Sequence, residues 1–121
     1  MKVRREQRLN SEFQKLIYEI LKYDVQDSAL DVMFSIVAVE TTTDLKQAKV
    51  FVSIYANSED KKQNAFEAMQ RSSSFVRKKI SSLMHIRTVP EFTFFLDNSF
   101  EYGNKIDSLL EKIKTGEKND D

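Results

Sequence analysis

The chain's one histidine, His85, and its lack of any cysteine limit the chemistry open to it. A Ser-His-Asp or Cys-His arrangement needs an imidazole oriented by a nearby acid. His85 falls instead among lysines and serines on an outward helix face, where a solvated surface histidine is expected. The two glycines, Gly103 and Gly116, cannot build a Walker loop or a dinucleotide fingerprint, both of which bring the backbone to phosphate at several glycines. Acidic residues are dispersed, and Asp24-Val25-Gln26-Asp27 lacks the glycine and terminal glutamate of a calcium loop. The expectation is a protein that is not an enzyme, with no metal, cofactor or small-molecule substrate.

Positive charge remains as the chemical resource. Lys and Arg balance Asp and Glu at nineteen each, but the segments differ in sign. Residues 1–15 carry a net +3, 16–60 a net −5, 61–88 a net +6 and 89–121 a net −4. A +6 stretch of twenty-eight residues is what a phosphate-binding surface needs, and whole-chain charge hides it. Its cations are Lys61, Lys62, Arg71, Arg77, Lys78, Lys79 and Arg87. Several sit near helix N-termini, where the macrodipole disfavours cations, so an outside anion would compensate them. Between them, Ser72-Ser73-Ser74 offers hydroxyls and backbone N–H groups to a phosphate. A solubilising basic face explains the same residues equally well. Arg4, Arg5 and Arg8 add cations near the N-terminus, where Arg8–Glu12 and Lys15–Glu19 are spaced as helical ion pairs.

These side chains need elements to hold them. Leu9, Phe13, Leu16, Ile17, Ile20 and Leu21 mark one face of a helix from Arg5 to about Tyr23. Met33–Glu40 and Lys46–Ala56 are rich in β-branched and aromatic residues around a polar turn, which predicts a hairpin. In its second strand Ala48, Val50, Val52 and Ile54 should face the core. Lys49, Phe51, Ser53 and Tyr55 share the other face, a partly covered sheet side more readily than a base-stacking platform. Asn57-Ser58-Glu59-Asp60 supplies a cap for a helix running to about Arg71. The serine triplet breaks the pattern, and a second helix follows with Phe75, Val76, Ile80, Leu83 and Met84 on one side. Pro90 precedes a third strand, Glu91–Leu96. Asp97-Asn98-Ser99 then caps a last helix carrying Ile106, Leu109, Leu110 and Ile113. Residues 114–121 are expected to be a disordered tail after a domain spanning 1–113.

The 121 residues suit a single domain, with 40% hydrophobic residues for its core. A charged fraction of 31% and a mean hydropathy of −0.49 point to a soluble protein. Without cysteine, secretory signal or long apolar run, a cytoplasmic location and no membrane partner are expected. A monomer is the simpler expectation.

At this level of detail the chain resembles the bacterial ribosome-binding factor A family. The likeness lies in a first helix ending EILKYDVQD, in DLKQAKVFVS over 44–53, and in Phe75-Val76-Arg77 after the kink. It continues in Val89-Pro90-Glu91-Phe92 and in Glu101-Tyr102-Gly103 followed by Ile106-Asp107 and Leu109-Leu110. The resemblance implies an α+β type II KH-like domain: helix, strand, strand, helix, kink, helix, strand and a C-terminal helix. A three-stranded mixed sheet would carry its helices mainly on one face. It also implies a non-enzymatic assembly factor that binds the small ribosomal subunit, assists 16S rRNA maturation near the 5′ end and matters most in the cold. The RNA-binding residues would be Arg4, Arg5, Arg8, Lys61, Lys62, Arg71, Ser72, Ser73, Ser74, Arg77, Lys78, Lys79 and Arg87. The family's Ala-x-Gly kink is replaced here by Ser72-Ser73-Ser74. Its Asp-Pro-Arg turn after the first helix is replaced by Asp27-Ser28-Ala29, with one positive charge fewer. The alternative is a protein-interaction module, without direct RNA binding, that uses the sheet face or the last helix.

Overall fold

The structure, a computed structural model, describes residues 2–97. The expected last helix and tail lie outside the described residues. Helix α1 covers Lys2–Glu19 and passes into a π-helical turn, Ile20–Asp24, closed by Val25 N–H on Ile20 O at 3.0 Å. The helical face ends where expected, but its last turn is wide rather than α-helical. Ile17, Ile20 and Leu21 all stay buried through it. A short 3₁₀ turn, Ser28–Leu30, follows, capped by Asp27, whose carboxylate accepts from Ala29 N–H at 3.0 Å.

Strands β1 (Met33–Thr41) and β2 (Gln47–Tyr55) form the antiparallel hairpin. Its turn is held by Asp44, which accepts from the Thr42 hydroxyl and from Lys46 N–H, while Leu45 takes a positive φ of 60°. Pairing shifts between Ile36 and Ala38, so Val37 is an extra, exposed residue in β1. Gln14 of α1 donates its amide to Ile36 O at 2.6 Å, satisfying a carbonyl at the irregularity.

Helix α2 (Glu59–Arg71) starts at Ser58, whose hydroxyl accepts from Lys61 N–H, with Glu59 and Asp60 in the favoured acidic first turn. A single residue, Ser72, separates α2 from helix α3 (Ser73–Leu83). The chain then runs through the buried Val89 and Pro90 into β3 (Glu91–Leu96), which pairs parallel to β2. The sheet order is β1-β2-β3, with β2 central. This is the mixed three-stranded sheet that the helical crossover requires.

The core lies between one sheet face and the helices. Phe13 and Ile17 of α1, Val50, Val52 and Ile54 of β2, Met69 of α2, Val76 and Ile80 of α3, and Phe92 and Phe94 of β3 are all essentially inaccessible. Phe13 and Phe92 meet edge to face with ring centroids 5.4 Å apart. The opposite face carries Phe51 and Phe95, stacked at 5.8 Å, with Phe95 40% exposed. Ser53 on that face is buried, its hydroxyl donating to Asp97 O at 3.2 Å.

Candidate nucleic-acid interface

The break between α2 and α3 is made at Ser72. Its backbone lies at φ −88°, ψ 0°, a region open to any residue, so the turn needs no glycine. Ser72 N–H is shared between the carbonyls of Ala68 and Met69, both at 3.0 Å, and its hydroxyl donates back to Ala68 O at 2.8 Å. That back-bond competes with helix continuation and ends α2. The Ser73 hydroxyl donates to Phe92 O and ties the start of α3 to β3. Ser74 is exposed and lies within α3. Two of the three serines therefore use their hydroxyl protons inside the fold, and only Ser74 presents its side chain outward.

The cations divide in a similar way. Arg71 pairs with Asp27 at 3.1 Å, joining the end of α2 to the 3₁₀ turn. The Asp27 carboxyl is held below the ordinary carboxylate range, first by the Ala29 N–H bond and then by Arg71, against a smaller opposing effect of burial. Lys79 reaches Asp24 at 4.0 Å, at the end of the π-helical turn. The positive charge at these two positions is thus answered inside the molecule. Neither Arg8–Glu12 nor Lys15–Glu19 is among the ion pairs of the described residues, and Arg8 and Lys15 stand exposed on α1. Helical spacing allows such pairs but gains too little to hold exposed side chains together.

Arg77, Lys78 and Arg87 come together. With Ser74, Ser81 and Val89 they line an open groove of about 370 Å³ between α3 and the segment leading to β3. Among the described residues no acidic side chain lines it. Ser74, Arg77, Lys78 and Ser81 share a helix face at i, i+3, i+4 and i+7. Among the described residues, Lys78 and Arg87 have no ion-pair partner. Arg77 donates its Nε–H to Val89 O at 3.1 Å. Ser81, on the outward face of α3, enters the groove because residues 87–89 return beside it.

Lys61 and Arg71 line a different groove, against the 3₁₀ turn, that also contains Asp31 and Glu67. Its mixed charge suits a phosphate poorly. Lys62 is half-buried in α2. Arg4 and Arg5 belong to the first turns of α1, and Arg8 lies one turn further on. His85 is exposed. Among the described residues no group of His, Cys, Asp or Glu could hold a metal ion, and no helix is long and apolar enough to cross a membrane.

A family model described as ribosome-binding factor A matches residues 5–110. The chain belongs to the ribosome-binding factor A family. Ribosome-binding factor A of Clostridium kluyveri is 42% identical over 114 residues, spanning 93% of both chains. The crystal structure of ribosome-binding factor A from Thermus thermophilus covers 78% of this chain and 97% of its own, with a TM-score of 0.67 at 17% identity. A homology model of the Thermus protein, fitted into a cryo-EM map of a 30S complex, covers 77% of this chain and 96% of its own, with a TM-score of 0.62 at 17% identity. The fold is the KH-like α+β domain of the ribosome-binding factor A structures.

Proposed function

We propose that this chain is a non-catalytic ribosome assembly factor that binds the small ribosomal subunit by contacting phosphates of its 16S rRNA. The groove of Arg77, Lys78 and Arg87, three cations with no acid beside them among the described residues, carries this reading. Membership of the ribosome-binding factor A family supplies the target, and a relative fitted into a 30S complex makes the small subunit the natural partner. Contacts of this kind fix register and orientation on RNA and read its shape, with little base readout. Outside the groove, Arg4, Arg5, Arg8, Lys61 and Lys62 are further candidate contacts to RNA phosphates.

In this reading the protein works as a cytoplasmic monomer, assists maturation of 16S rRNA near its 5′ end, and matters most in the cold. A host strain lacking the protein should accumulate 16S precursor with an unprocessed 5′ end at low temperature. The wild-type gene should rescue it, and the Arg77→Glu/Lys78→Glu variant should not. Fully mature 5′ ends in the deletion strain at low temperature would refute the maturation role. A protein-interaction module is the second reading, favoured by the Phe51–Phe95 stack on the sheet face away from the helices.

A further inference from the structure

We infer that Arg77 is the preorganised anchor of the α3 groove, its Nε–H fixed on Val89 O so that its terminal nitrogens form a bidentate seat for one RNA backbone phosphate. The inference rests on the RNA-binding reading above and assigns the cations of the groove unequal parts. Arginine has five N–H donors in a rigid plane. Here one of them, on Nε, donates to the carbonyl of the buried Val89 at 3.1 Å. Among the described residues no backbone N–H donates to the Val89 carbonyl, and residues 85–90 belong to neither helix nor strand, so this carbonyl relies on a side-chain partner. The bond therefore serves folding, and folding orders the guanidinium.

The four remaining N–H groups sit on the two terminal nitrogens, and no acidic partner takes them among the described residues. Their parallel geometry matches two oxygens of one phosphate. Much of the rotamer entropy that arginine would lose on binding is already lost in the folded protein. Ser74 and Ser81 stand on either side of Arg77 along the helix and add hydroxyl donors to the same seat. Lys78 and Arg87 have no such internal bond among the described residues and act as flexible point charges at its flanks. Arg71, bonded to Asp27, and Lys79, in a 4.0 Å ion pair with Asp24, cannot take the same role without giving up that pairing.

The test compares binding of wild type, Arg77→Lys, Lys78→Arg and Arg77→Glu/Lys78→Glu to purified small ribosomal subunits. Arg77→Lys keeps the charge but not the fork, and should weaken binding about tenfold with the salt dependence unchanged, while Lys78→Arg stays within about twofold. Equal binding by Arg77→Lys and wild type would overturn the anchor while leaving the RNA-binding reading intact. Wild-type binding by the double reversal would overturn that reading itself. Arg77→Lys could also loosen the segment before β3, so a second measurement uses the unaltered protein. In its ¹⁵N spectrum the Arg77 Nε–H, bonded to Val89 O, should exchange more slowly than the Nε–H of Arg8 and Arg87, and should shift when a single-stranded RNA 20-mer is added. A fast-exchanging Nε–H, or one unmoved by the RNA, would overturn the anchor.

Discussion

Asp27 binds two elements with one carboxylate. One oxygen accepts from Ala29 N–H and the other meets Arg71, so the turn after α1 is fastened to the end of α2. Both bonds favour the ionised form, and the folded-state pKa is depressed. A depressed carboxylate contributes stability that is fully present above its unfolded pKa, about 4, and is lost as pH falls through the folded value. Asp27→Asn should therefore lower the thermal midpoint at pH 7, and the gap to wild type should shrink as pH is taken below about 4, followed by circular dichroism. A gap independent of pH would show that the carboxylate's charge is not what holds the turn. The sequence presented Arg71 as one cation of a basic run. Its acid partner lies forty-four residues away, and no local pattern announces such a pair.

At the scale of elements, the serine triplet separates building from binding. Ser72 and Ser73 bond to carbonyls of α2 and β3, whereas Ser74 faces outward beside the groove. Ser72→Ala should cost about 1 kcal/mol in urea denaturation and leave subunit affinity unchanged. Ser74→Asp should do the reverse. A negative charge in the first turn of α3 holds or raises stability by roughly 0.3–1 kcal/mol, yet repels phosphate from the groove. Weaker pelleting with subunits at an unchanged or raised melting temperature checks this. The break itself was legible, because three consecutive serines interrupt the apolar period. The division of labour among them was not, since it depends on which carbonyls of Ala68 and Phe92 lie within reach. The hairpin was equally legible from alternation, but the Val37 irregularity was not, for its support comes from Gln14 in another element.

The described residues form a sheet with helices on one face and a basic groove between α3 and the segment leading to β3. The core was readable in part from apolar periodicity: Phe13, Ile17, Val50, Val52, Val76 and Ile80 lie where their spacing assigns them, whereas Phe75 and Leu83, assigned to the same face of α3 as Val76 and Ile80, are exposed. Phe92→Ala would remove the ring packed on Phe13 and should cost about 3–5 kcal/mol in chemical denaturation, with the effect on binding following only from unfolding. Strand order was not readable, because it is settled by where the α2–α3 crossover delivers β3. The groove was half visible. Its cations stand close in sequence, but only the fold shows that Arg71 and Lys79 are paired while Arg77, Lys78 and Arg87 converge.

The most direct measurement is co-sedimentation of the purified protein with separated small and large ribosomal subunits across a salt series. Selective binding to the small subunit is the expected result. Three groove phosphates at roughly −0.7 each give a log–log salt slope of about −2 or steeper, and Arg77→Glu/Lys78→Glu should flatten it. Binding to neither subunit, or binding that salt leaves unchanged, would contradict a phosphate-seated contact with the small subunit.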